Sequence, residues 1–94
     1  MNIGTLIISI NRASLFNITA NTRCITFSLI DKCICIRVTT YKPVDEYEKD
    51  LYFSIAAEVE GDFIDLKCEI KIVQSTLSIT DVTKGKNTTY AREE

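Results

Sequence analysis

Between residues 51 and 73, apolar and polar side chains alternate with a period of two on both sides of Gly61 and Asp62. Before that pair, Phe53, Ile55, Ala57 and Val59 alternate with Tyr52, Ser54, Ala56, Glu58 and Glu60. After it, Ile64, Leu66, Cys68, Ile70 and Ile72 alternate with Asp65, Lys67, Glu69 and Lys71. A period of two gives one apolar face and one wet face. Glycine at the first central position suits a type II′ turn, which needs a positive φ there. The stretch is therefore expected to form a β-hairpin, with Val59 opposite Ile64, Ala57 opposite Leu66, Ile55 opposite Cys68 and Phe53 opposite Ile70.

The pattern recurs along the chain. In residues 22–30, Ile25, Phe27 and Leu29 share one face; in residues 33–41, Ile34, Ile36 and Val38 do. A two-residue turn at Asp31 and Lys32 sets Leu29 against Ile34, Phe27 against Ile36 and Ile25 against Val38. A slip of one residue would mix the faces, so this register is well specified. Residues 3–10 read as a first strand. A short second strand follows over residues 16–20, although Ser14 can instead cap a helical turn. Residues 42–50 break the pattern: Pro43 removes a donor and the acids make a polar connection, with room for one helical turn around residues 45–49. Residues 76–82 give a last, shorter strand.

These strands predict an all-β fold, an antiparallel meander of six or seven strands forming a small barrel or sandwich. A sheet that does not fold over itself needs a second copy to cover its apolar face. The expected organisation is a single all-β domain over residues 1–83 and a polar C-terminal tail over residues 84–94, where apolar periodicity stops. At 94 residues the chain is long enough for one domain, and its 46% hydrophobic content is that of a folded protein.

The chemistry-bearing residues exclude more than they select. With no histidine in the chain, Ser–His and Cys–His nucleophile pairs cannot exist, and three glycines hardly make a phosphate loop. No enzyme activity, cofactor or metal is expected. The four cysteines, Cys24, Cys33, Cys35 and Cys68, lack the paired knuckles of a zinc site. Cys33 and Cys35 share a face roughly 6.5 Å apart, with side chains too nearly parallel for a disulfide. Reduced thiols fit a cytoplasmic protein. A net charge of −2 and scattered basic residues disfavour nucleic acid, and the apolar residues 3–10 are too few to span a bilayer.

Carboxylates gather at the tip of the expected hairpin. Glu58, Glu60, Asp62 and Asp65, with Tyr52 on the same wet face, are the candidate binding residues. Glu58 would face Asp65 across the strands, an unfavourable pairing without a cation nearby. The acids at positions 45, 46, 48 and 50 extend the negative surface toward a basic partner. The resulting expectation is a small, β-rich interaction protein that self-associates and binds a partner protein, in the manner of a phage or mobile-element inhibitor of a host system. The alternatives are a β-barrel or oligomer with a pocket for a nucleotide or metabolite, and a structural subunit of an assembly.

Overall fold

The computed structural model describes residues 3–92. Among these, three helices and four strands follow in the order α1 (Ile3–Ser14), β1 (Thr22–Ile30), β2 (Cys33–Thr40), α2 (Glu46–Asp62), β3 (Lys67–Gln74), α3 (Ile79–Thr83) and β4 (Asn87–Ala91). The strands form one sheet in the order β3-β2-β1-β4. The fold is mixed α/β, so the all-β expectation is overturned.

The β1–β2 hairpin forms in the register read from the sequence, with Leu29 paired to Ile34, Phe27 to Ile36 and Ile25 to Val38. Its turn is at Asp31, whose φ of 54° lies in the left-handed region; a short polar side chain tolerates that region better than most.

The expected hairpin over residues 51–73 does not form. Its first half is helix α2, and its second half is β3, which pairs with β2 in parallel. Parallel neighbours need a crossover of a dozen or more residues, and α2 supplies it. Two local features start this helix. Asp45 caps its N-terminus, accepting the Glu48 backbone N–H at 2.8 Å, and Asp-x-x-Glu is the capping-box spacing. Then Tyr52, Ile55, Ala56 and Val59 recur at helical intervals and form the buried stripe. The helical turn expected around residues 45–49 is thus the first turn of a helix of 17 residues.

Helix α1 replaces the first expected strand for the same reason. Leu6, Ile10 and Ala13 are buried, whereas Ile8 is 66% exposed. Residues 16–20 form no strand but a turn. Asn17 donates its side-chain amide to the Ala13 carbonyl at 2.8 Å, satisfying the helix end. Residues 76–82, expected as a strand, lead into α3, where Ser78 accepts the Asp81 N–H. Gly85, at φ +70°, turns the chain from α3 into β4. Residues 87–91, inside the expected tail, pair with β1 as β4; residues 93 and 94 lie outside the described residues, as do residues 1 and 2.

The core lies between the sheet and the α1–α2 pair. Leu6, Ile10 and Ala13 from α1 meet Tyr52, Ile55 and Val59 from α2 over Ile25, Phe27, Ile34, Ile36 and Val38 of the hairpin, with Cys68, Ile70 and Ile72 of β3 at the margin. The two helices cover the sheet's apolar face, which removes the reason for invoking a second copy.

Candidate interaction face

Helix α2 carries two stripes. The buried one faces the sheet. The outer one follows the positions of Glu46, Asp50, Phe53 and Ala57, with Tyr47 and Glu58 beside it, all exposed. Tyr47 is 72% and Phe53 50% exposed. In the connection to β3, Ile64 is 96% exposed, and it lines an open groove with Asp62, Asp65 and their neighbours. Between positions 45 and 65 eight carboxylates stand against one lysine, a charge of −7 in a chain whose total is −2, leaving +5 for the rest. The negative charge is thus concentrated on one element and the positive charge lies elsewhere.

The residues singled out from sequence are divided by this fold. Glu58 is exposed on α2, and Asp65 lies in the loop after it. They do not oppose one another across strands, because residue 58 is helical. Glu60 accepts the Cys68 backbone N–H at 2.9 Å, a donor on the side of edge strand β3 turned away from β2. Asp62 accepts from the Ser9 hydroxyl at 2.6 Å and pairs with Arg12, tying the end of α2 to α1. The Ser9 hydroxyl, together with the Arg12 guanidinium, holds the Asp62 carboxyl below its usual range. Tyr52 has no exposure. Its hydroxyl meets Thr22 at 2.7 Å and Thr19 at 3.0 Å and donates to Glu48 at 3.4 Å. It is an internal tie between α2 and the start of β1.

Neither surface aromatic of α2 is among the binding candidates taken from the sequence. Phe53 fits the inward face of a strand and Tyr47 sits in an acidic run. The signal that finds them is Asp45-x-x-Glu48: once a helix starts there, position 53 leaves the stripe defined by positions 52, 55 and 59.

The opposite face of the sheet is different. Thr26, Ser28, Cys35, Arg37, Lys71 and Lys86 border a groove of about 180 Å³, and such volume is below that of usual small-molecule sites, about 300 Å³ or more. Arg23 and Arg92 both lie over the Tyr41 ring, at 5.2 and 5.9 Å from its centre. The four cysteines are all free and do not converge. Cys24 is buried opposite Thr39, as the register predicted. Cys68 borders the core, where burial, aided by Glu60, pushes its thiol up to about 12. Cys33, Cys35 and Glu69 do come together, with one possible ligand atom from each within 4.8 Å of the others.

A single sheet backed by two helices, with its charge bias and exposed aromatics on one of them, defines a small α/β domain whose distinctive chemistry is a surface. The chain matches the model of the MafI2 immunity protein family over residues 4–94 and belongs to that family. No curated protein matches it. The family narrows the inhibitor expectation to the immunity class and lends no support to a phage origin. No helix among the described residues is long and apolar enough to cross a membrane.

Proposed function

We propose that this protein is a non-enzymatic immunity factor that neutralises a cognate protein toxin by binding it through the outer face of α2 and the adjoining residues 63–66. The observation that carries the reading is the family match across nearly the whole chain. The choice of face rests on composition. Interface cores favour aromatic anchors inside a polar rim, and Tyr47 and Phe53 stand exposed among acids. A segment at −7 steers toward a basic surface on the toxin and raises the association rate. The four free thiols suit a reducing cytoplasm, which is where we place the protein.

The test is co-expression with the cognate toxin, followed by titration of the purified pair. Growth should be restored, and a one-to-one complex should form. Tyr47→Ala and Phe53→Ala should each weaken binding by tenfold or more, about 1.4 kcal/mol. A Glu46→Lys, Asp50→Lys, Glu58→Lys chain should associate more slowly and lose most of its salt dependence. Lys71→Ala, on the opposite side of the sheet, should change neither. Protection that survives all the α2 changes and fails with Lys71→Ala would move the contact to the other face. A toxin that is neutralised without any complex would end the stoichiometric reading.

A further inference from the structure

We propose that Cys33, Cys35 and Glu69 form a binding site for a thiophilic divalent metal ion, Zn²⁺ or one of like preference, on the sheet face away from α1 and α2. The site is independent of the immunity reading. Alternation along β2 turns Cys33 and Cys35 to the same side, opposite Ile34 and Ile36, which are in the core. The parallel register then puts Glu69 of β3 beside Cys35. The two sulfurs lie 3.7 Å apart. Two thiolates bound tetrahedrally at about 2.3 Å from one zinc ion are about 3.8 Å apart, so the sulfurs already have the spacing an ion requires. A carboxylate oxygen of Glu69 completes three donors within 4.8 Å of one another.

The competing fates of these thiols are less well served. Residues two apart on a strand have Cα atoms roughly 6.5 Å apart and nearly parallel side chains, a poor geometry for a disulfide. Cys68, the next cysteine in space, is turned toward the core with Ile34 and is not a fourth donor. The remaining position opens onto a groove bordered by Asp31, Lys32, Asp65 and Lys67, so water completes the shell. Three protein ligands with one open position is an arrangement zinc accepts. Binding would cross-link β2 to edge strand β3.

The ligands must lose protons for this to happen. Affinity should therefore rise with pH, and binding should release protons.

The reduced full-length chain is titrated with Co²⁺ without oxygen. The expected result is a thiolate-to-cobalt charge-transfer band in the near ultraviolet that saturates at one equivalent, strengthens with pH and is abolished by Zn²⁺. Cys33→Ser and Cys35→Ser should each weaken Co²⁺ binding by more than tenfold. Glu69→Gln should weaken it by about tenfold while keeping a thiolate band, and Cys68→Ser should keep full affinity. Circular dichroism of each metal-free variant identifies any that fail to fold, and the conclusion is drawn from the folded ones. No thiolate band at tenfold excess Co²⁺, or a band that persists in the Cys33→Ser, Cys35→Ser chain, would overturn the site.

Discussion

Tyr52 shows how much one side chain can join. Its ring fills the core and its hydroxyl connects Thr19 and Thr22, ahead of and within β1, to Glu48 on its own helix. Removing only the oxygen leaves these polar groups short of a partner in a closed space. Tyr52→Phe should cost about 1–2 kcal/mol, read from urea unfolding. The same group sets an alkaline limit. Burial holds the Tyr52 hydroxyl above its ordinary value of 10.0, the Glu48 charge adds to this, and the Thr19 and Thr22 hydroxyls oppose it. Above pH 10 the unfolded chain has already lost this proton while the folded chain keeps it. The stabilising contribution is complete below pH 10.0 and disappears as pH rises through the raised folded value. Unfolding free energy should fall more steeply with pH in the wild type than in Tyr52→Phe over that window. Parallel curves would exclude Tyr52 as the cause.

At the scale of elements, α2 decides the topology. Its hydrophobic residues were legible, but their period was not. Ile55 and Val59 are four apart, a spacing shared by a strand face and a helix stripe. Only the neighbours discriminate: Tyr52 belongs with Ile55 on a helix and Phe53 belongs with Ile55 on a strand. Tyr52 is buried and Phe53 is half exposed. In α1, Leu6 and Ile10 carry the same ambiguity, and buried Ala13 with exposed Ile8 resolves it. The N-cap is therefore informative as well as stabilising. Asp45→Ala should destabilise the protein by about 1 kcal/mol in urea. The same loss in a chain that already carries Asp45→Asn would remove the cap as its source, since asparagine caps equally well. Ile55→Ala, which empties a fully buried core position on α2, should cost more, about 2–5 kcal/mol. The β1–β2 hairpin was legible because its two strands, joined by a two-residue turn, check one another's register.

For the whole molecule, the arrangement of layers separates the functions of its surfaces. One face of the sheet is spent on the core and two helices. The outer side of α2 holds the acids, and the far side of the sheet holds the cysteine pair and much of the basic charge. Residues 87–92 belong to this construction. Strand β4 pairs with β1, Tyr90 packs against the core, the Arg92 N–H donates to the Arg23 carbonyl at 2.8 Å, and Arg92 also reaches the Ala20 carbonyl. Ending the chain at Gly85 uncovers the edge of β1. It should lower stability by at least about 2 kcal/mol, the contribution of one large apolar side chain, and speed proteolysis. An unchanged urea midpoint would make residues 86–94 dispensable.

By itself, the sequence determined the register of β1 on β2 and with it the inward face of Ile25, Phe27, Ile34, Ile36 and Val38, the common face of Cys33 and Cys35, and the concentration of acids between positions 45 and 65. These follow from local alternation and from charge order along the chain. The tertiary structure decided whether residues 3–14 and 46–62 coil or extend, and hence whether β3 runs parallel or antiparallel to its neighbour. The physical reason is that isoleucine-rich segments with four-residue spacing suit both periods. The β1–β2 hairpin leaves an apolar face that must be covered, and α1 and α2 cover it as helices. That choice buried Tyr52, brought Phe53 to the surface and set Glu69 beside Cys35.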